Sequence, residues 1–420
     1  MHKYFFILGR NRALATAEIN AVLSRQKTGD FKPLFLEKEV FILETAQKID
    51  LKRVNEDLGG VVKCGPIVLE KEKGAAIETA LKEILTPADI LEKFIKKTDQ
   101  KLRLGFSLYV QKEKIFNGTK RLLQTLFIDL KKEFRKKGIN SRIVSSSGRT
   151  LSSVVLEKNH LLDRGAEFNF FIFGSKILVG RTESLQDFES FGFRDYGRPA
   201  RDMAIGMMPP KLARMMINLS GLKNNEVLLD PFCGCGTILQ EALLLGAEKV
   251  IGSDVNPPAV NKTKINIKWL EEKYKLQNKK IRIFVSDIVH INKEIKNNPV
   301  DVVVTEPYLG PPLKKNISGK EIKKIMDELI HLYRVFFREI KKVLRPGGRI
   351  VIIWPVFRAQ KGFINLPIFE EVLKMGYEQE MILPENLKNK PFPEITRRGS
   401  VIYSREDQKV LREIFIFKNV

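Results

Sequence analysis

Three segments end an apolar run in residues able to do chemistry: Leu228–Thr237 (LLDPFCGCGT), Ile251–Asp254 (IGSD) and Val300–Tyr308 (VDVVVTEPY). An apolar run of four to six residues that stops at an acid reads as a buried strand whose last residue reaches a ligand-facing edge. In the first segment Asp230 leads directly into Pro231, Phe232, Cys233, Gly234, Cys235 and Gly236. Gly234 and Gly236 remove side chains where a backbone must turn sharply and approach a ligand. Asp254 follows Asp230 by 24 positions, close to the ~20-residue offset of an acid that binds ribose hydroxyls. Asp287, after the strand-like Ile281–Val285, has two readings: a partner for an adenine amino group, or the cap of a following helical turn. Thr305-Glu306-Pro307-Tyr308 offers a hydroxyl, a carboxylate and an aromatic ring at a third strand end.

The order of these groups selects among cofactors. A nicotinamide dinucleotide prefers GxGxxG, with a helix N-terminus facing its pyrophosphate. Here the turn is CGCG and an acid precedes it. An acid there repels phosphate and suits a cation. S-adenosylmethionine, with an ammonium and a sulfonium but no phosphate, fits. Asp230, Pro231, Cys233, Gly234 and Gly236 would shape its turn, Asp254 would take the ribose, and Asp287 the adenine. Cys233 and Cys235 have no His or other Cys at ligand spacing, so no metal is expected, and with Cys64 they make no disulfide framework.

These residues need elements to hold them. From Glu226 the pattern alternates: strand Val227–Leu229, helix Thr237–Leu245, strand Lys249–Gly252, helix Pro258–Tyr274, strands Ile281–Val285 and Val300–Val304, helix Ser318–Leu344, strand Arg349–Trp354. Near-continuous apolar strands between helices predict a parallel sheet covered on both faces. Gly399–Tyr403 and Glu413–Phe417 predict an antiparallel hairpin at its end. Pro209-Pro210 opens a helix through Leu219. Thr182–Met208, polar and without a clear period, reads as a linker.

The N-terminal half reads as α+β. Strands are expected at Lys3–Leu8, Lys38–Leu43, Val61–Lys63 and Leu102–Val110, and helices at Ala13–Ser24, Lys52–Leu58 and Gly74–Leu85. Then come helix Lys120–Lys137, strand Ser141–Val144, helix Leu151–Asp163, and a hairpin of Glu167–Phe173 with Lys176–Gly180. The expected division is 1–95, 96–181, a linker 182–208, and 209–420.

Lys plus Arg outnumber Asp plus Glu by 73 to 50, a formal charge of +23. Either a lysine-rich composition or a polyanionic partner produces such a surplus, and a soluble chain this basic points to the partner. Lys131, Lys132, Arg135, Lys136, Lys137 and Arg142 crowd one helix end and the next strand. They form a phosphate-binding surface or a solvated face that complements the helix dipole. Hydrophobic residues make up 43% of the chain, enough for packed cores. No apolar run approaches a membrane span of ~18 residues, so a cytoplasmic location is expected.

DPFCGCGT, the acid Asp254, the TEPY strand end and the LRPGG turn before a strand resemble the class I S-adenosylmethionine-dependent methyltransferases. Among these the chain is similar to the amino-methyltransferases, which carry D/N-P-P-Y at this strand end. Arg194-Asp195, Gly197-Arg198-Pro199, Arg201-Asp202 and Gly206–Ala213 resemble the THUMP-containing tRNA guanosine N2-methyltransferases. Leu151–Glu167 and Tyr4–Val22 are similar to the N-terminal parts of that family. The resemblance implies a Rossmann-like methyltransferase sheet with an antiparallel terminal hairpin. An RNA-binding α+β region, ferredoxin-like at 1–95 and THUMP-like at 96–181, is implied before it. It implies methyl transfer from S-adenosylmethionine to the N2 amine of a guanosine in tRNA. Pro307 and Tyr308 match the family motif, the ring stacking on the flipped base.

One departure stands out. Thr305-Glu306 replaces the family's Asp/Asn-Pro, whose side chain and following carbonyl accept hydrogen bonds from the target amine. Thr305 offers only a hydroxyl, a weaker acceptor than a carboxylate. Glu306 is expected to supply the missing carboxylate, or else only its backbone carbonyl acts. The departure keeps two other readings open: a non-catalytic tRNA-binding protein, and a DNA adenine N6-methyltransferase.

Overall fold

The computed structural model describes the chain except residues 27–30, 75, 96–100, 147, 203–206, 297–298, 312–318, 360–361, 384, 388–391 and 406–407. Gly206 of the linker motif and Ser318 of the expected helix therefore lie outside the described residues. The chain forms two compact units: Met1–Arg10, Gln26–Glu56 and Val61–Gln186 make the first, and Asn11–Arg25, Asp57–Gly60 and Asp187–Val420 the second.

The first unit is a nine-stranded sheet. Its spatial order is Phe31–Glu37, Val40–Thr45, His2–Leu8, Val61–Glu72, Lys176–Arg181, Gly165–Phe173, Leu102–Val110, Ser141–Val144, with Ser184–Leu185 beside Val61–Glu72. The helix Phe116–Lys136 buries Leu123, Phe127, Leu130 and Phe134, a 3.6-residue stripe, against the sheet. The strand Phe31–Glu37 escapes a periodicity reading: it is a half-exposed edge carrying Lys32, Pro33 and Glu37, and proline is confined to such edges. The helix expected over Leu151–Asp163 is confined to Ser153–Lys158, since His160 takes a left-handed φ of 47°. Inside the unit Lys63 and Glu167 form a buried ion pair, with Ser107 and Thr182 also donating to the carboxylate. That satisfaction is what permits charges at such depth.

The second unit is α/β. Its strands are β1 (Val227–Asp230), β2 (Lys249–Asp254), β3 (Lys280–Val285), β4 (Val300–Thr305), β5 (Leu344–Ala359), β6 (Tyr377–Glu380) and β7 (Val410–Asn419). They lie in the order β3-β2-β1-β4-β5-β7-β6. The first five are parallel; β7 runs antiparallel to both β5 and β6. This is a Rossmann-like sheet with an antiparallel end. Val401–Tyr403 pairs antiparallel with β7 as the expected hairpin. β5 begins earlier than expected, at Leu344, which pairs with Val300 before the register jumps to Arg349 opposite Val302. Arg345–Gly348 is thus a bulge in the strand, and Gly347 takes φ 73°.

The helices of this unit include α1 (Arg12–Arg25), α2 (Phe188–Tyr196), α3 (Pro210–Ser220), α4 (Thr237–Leu244), α5 (Pro257–Tyr274), α6 (Gly319–Ile340) and α7 (Phe369–Lys374). α2 lies within the segment that composition reads as a linker; Asp187 caps it and its Phe191 and Arg194 are buried. A buried arginine is invisible to apolar periodicity. Tyr333, Phe336 and Phe337 of α6 pack with Trp354, Phe415 and Phe417 of the sheet into the core.

α1 belongs to the second unit although it lies near the N-terminus. Its Ala13, Leu14, Ala15, Ile19, Val22 and Leu23 are buried, and it packs on α3. Glu18 is fully buried and accepts from Gly59 N, Gly60 N and Asn218 Nδ2 at 2.8, 2.8 and 2.7 Å. Burial pushes its carboxyl up to about 7 against those hydrogen bonds. Both tryptophans, Trp269 and Trp354, lie in the second unit. Ile19→Ala should therefore lower the stability of the tryptophan-reported transition in the full chain by roughly 2–5 kcal/mol. Denaturant unfolding followed by tryptophan fluorescence checks this; an unmoved midpoint would separate α1 from the unit.

Candidate active site

The strand order reverses between β1 and β4, which lie side by side at the centre of the parallel region. In an open α/β sheet the crevice for a ligand forms at the carboxyl ends of the strands at that switch point. The two strands end in Asp230 and Thr305, and the Thr305 hydroxyl donates to Asp230 Oδ1 at 2.7 Å. The other donor to that oxygen is Phe232 N at 3.2 Å. Asp230 is buried, and desolvation pushes its carboxyl up to about 7; the two hydrogen bonds pull down, while Asp254 and Glu306 add to the rise.

The glycine turn leaves β1 and enters α4. Gly234 and Gly236 hold left-handed φ values of 52° and 79°. A Cβ on Gly234 would meet nothing within 4 Å, so the turn is open on that side. A Cβ on Gly236 would come within 2.8 Å of Thr263 Cγ2. Thr263 in turn donates to Gly234 O at 2.7 Å, and Asn266 Nδ2 donates to Cys235 O at 2.9 Å. α5 thereby braces the loop. Cys233 and Cys235 are buried free thiols, and burial raises both. Among the described residues no group of His, Cys, Asp and Glu is arranged to hold a metal.

Asp254 ends β2 and takes Gly234 N at 3.0 Å on Oδ2 and Asn256 N at 2.9 Å on Oδ1. It thus ties the glycine turn to the next loop. Asp287 is exposed and caps the short 3₁₀ turn Ile288–His290 through Val289 N at 3.0 Å, so its capping reading holds in the geometry. Beside these acids stand exposed apolar side chains that the sequence reading missed: Val255 at 61%, Val285 at 49% and Val289 at 42%. Apolar side chains left open beside carboxylates can sandwich a planar ring while the acids take its polar edge.

At the end of β4 Thr305 and Pro307 are buried, while Tyr308 is 52% exposed. An exposed ring just after the buried Pro307 can stack on an incoming base. The Glu306 carboxylate is paired with Arg412 on β7, whose Nε lies 2.5 Å from Oε1. Arg412 was not singled out from sequence; its signal is a charge inside an apolar strand.

The approach to α4 rests on arginines. Arg194 and Arg214 both bind the buried Glu241 carboxylate, at 2.6 and 2.8 Å, and both stack on Phe191. Arg198 donates to Thr237 Oγ1 at 2.7 Å, in the first turn of α4. In the other unit, Lys131, Lys132, Arg135, Lys136, Lys137 and Arg142 are all exposed at one helix end and the following strand. Lys132 and Lys136 pair with Asp129 and Glu133 within the helix.

Residues 198–374 match the family model described as UPF0020: RMKL-like, methyltransferase domain. Over that segment the chain is similar to a methyltransferase domain. It is 32% identical over 233 residues to the tRNA (guanine(10)-N2)-dimethyltransferase of Methanocaldococcus jannaschii, covering 54% of this chain and 59% of that protein. It is 35% identical over 160 residues to the protein of the same name from Methanothermobacter thermautotrophicus, covering 38% and 42%. U6 snRNA (guanine-N(2))-methyltransferase THUMPD2 of Homo sapiens is 30% identical over 145 residues, covering 34% and 24%. The chain thus spans less than two thirds of the length of these relatives. In fold it is similar to TrmN from Thermus thermophilus, with a TM-score of 0.58 at 13% identity and all of both chains covered.

The elevated carboxyl of Asp230 has a consequence for stability. Its folded pKa of about 7 lies above the ordinary 3.8, so its contribution is fully present below pH ~4 and is lost as pH rises through ~7. Asp230→Asn removes that loss. The variant should gain on the wild type by roughly 1–3 kcal/mol between pH 5 and pH 8. Denaturant unfolding at both pH values checks this; a pH-independent difference would show that Asp230 titrates normally.

Proposed function

We propose that this chain transfers a methyl group from S-adenosylmethionine to the exocyclic N2 amine of a guanosine in tRNA. The observation that carries the reading is the junction at the switch point, where the glycine turn after Asp230 meets the Thr305–Tyr308 strand end. The names of the relatives, guanine-N2 methyltransferases of tRNA and U6 snRNA, support the acceptor.

The residues present fit the cofactor by their donor set. S-adenosylmethionine, when bound, supplies a methyl carbon made electrophilic by its sulfonium. Asp230 offers negative charge to its cationic amino acid end. The open side of Gly234 lets the backbone approach it. Asp254 accepts from the ribose, and Val255, Val285 and Val289 hold the adenine, with Asp287 at its edge.

On the acceptor side, the Thr305 hydroxyl donates its hydrogen bond to Asp230 and so keeps its lone pairs for an N–H of the amine. The Glu306 main-chain carbonyl is the second acceptor. Two acceptors hold the amine so that its lone pair points at the methyl carbon, and this alignment is the main catalytic contribution available to such a site. Tyr308 stacks on the base. Thr305, Glu306, Pro307 and Tyr308 thus form the catalytic strand end.

The first unit supplies RNA affinity. Its exposed Lys131, Lys132, Arg135, Lys136, Lys137 and Arg142 match a polyphosphate backbone, and RNA helices are read by shape and backbone. This unit would act as the THUMP-like tRNA-binding region, and a tRNA-modifying chain would work in the cytoplasm. Among the described residues no helix is long and apolar enough to cross a membrane.

Nucleoside mass spectrometry of unmodified tRNA incubated with the full chain and S-adenosylmethionine tests the reading. N2-methyl- or N2,N2-dimethylguanosine is the expected product, and Tyr308→Ala should reduce its rate by about tenfold or more, given ~1–3 kcal/mol of stacking per base. Methyladenine in duplex DNA, or no methylguanosine in tRNA, would contradict it.

A further inference from the structure

Glu306 sits between two fixed residues, Thr305 at the end of β4 and the buried Pro307. Its side chain turns to Arg412 of β7, with Nε 2.5 Å from Oε1 and the two side chains only 17% and 15% exposed. β7 is not a neighbour of β4; β5 lies between them. Arg412 stands opposite Pro355 of β5, where the parallel strands carry their ligand-facing ends. The next residue, Glu413, serves a different group, taking Arg398 and Ser400. Alternation along a strand sends successive side chains to opposite faces. An ion pair this deep adds little net stability, because desolvation offsets most of its attraction. What a short charge-assisted hydrogen bond does reliably is fix geometry.

We infer that Arg412 is a positioning residue for methyl transfer: by anchoring the Glu306 side chain it fixes the direction of the Glu306 main-chain carbonyl offered to the target amine. The inference rests on the methyltransferase reading and adds a residue from the antiparallel end of the sheet to it. The need for an anchor follows from the chain itself. Pro307 restricts the preceding Glu306 to extended backbone but leaves its φ a broad range. A proline at this position, as in the motif this strand end resembles, would lock φ near −65°. Glu306 has no ring, and its tether to Arg412 supplies the restraint from outside. The same tether occupies the carboxylate, which leaves the carbonyl as the acceptor at this residue. A carbonyl misplaced by about 1 Å costs on the order of 100-fold in rate, so a loose Glu306 would be expensive.

The test is single-turnover methylation of tRNA by the full chain, with S-adenosylmethionine affinity by calorimetry and the unfolding midpoint measured for every variant. Arg412→Ala should slow methyl transfer by on the order of 10- to 100-fold while cofactor affinity stays within twofold. Arg412→Lys keeps the charge but not the fork, and should fall in between. The deciding variant is Glu306→Pro combined with Arg412→Ala, which removes both charges and restores the backbone restraint by a ring. It should recover most of the lost rate. A wild-type rate in Arg412→Ala, or a double variant as slow as the single, would overturn the positioning role; the latter result would make the carboxylate itself the acceptor. Absence of methylguanosine with the wild-type chain would overturn the methyltransferase reading, and the positioning role with it.

Discussion

Asp230 and Thr305 are joined by a hydrogen bond of 2.7 Å between the ends of two adjacent parallel strands. The bond spans the place where the strand order reverses. On one side Asp230 starts the glycine turn that α5 braces through Thr263 and Asn266. On the other, Thr305 leads into Glu306, whose carboxylate pairs with Arg412. The proposed cofactor crevice and acceptor platform would thus share one buried hydroxyl–carboxyl contact.

Burial raises the Asp230 carboxyl, and Asp254 and Glu306 raise it further. The contrast with Glu241 is informative. That carboxylate is equally buried but satisfied by Arg194 and Arg214, as structural ion networks are. Asp230 instead takes the Thr305 hydroxyl and Phe232 N at the strand-end crevice, where the cationic end of the proposed cofactor would add a positive charge.

Much of this was legible in the sequence because parallel strands buried on both faces leave continuous apolar runs, and an acid ending such a run is conspicuous. Asp230, Asp254 and the Thr305–Tyr308 end all stood out in that way. Less visible were residues whose roles depend on partners far along the chain. Arg412 lies 106 positions from Glu306, and nothing local marks it except a charge in an apolar strand. Arg194 hid within a segment that composition reads as a linker, because a buried arginine looks like a solvated one until Glu241 is placed beside it. The half-exposed edge strand Phe31–Glu37 lacked alternation for the opposite reason: one side has little to bury. The helix α1 was readable as a helix, but its place in the second unit depends on Glu18 meeting Gly59, Gly60 and Asn218, which no local pattern shows.

The proposed role of Asp230 is to meet the cationic end of the cofactor with a carboxyl that burial raises to about 7. Calorimetric titration of the full chain with S-adenosylmethionine at pH 6.5, in buffers of different ionisation enthalpy, measures this directly. Favouring the charged form of a carboxyl whose pKa is about 7 must expel its proton, so binding should release a substantial fraction of one proton. Asp230→Asn should bind more weakly and release close to none. Proton release that is absent in the wild type, or undiminished in Asp230→Asn, would contradict the account.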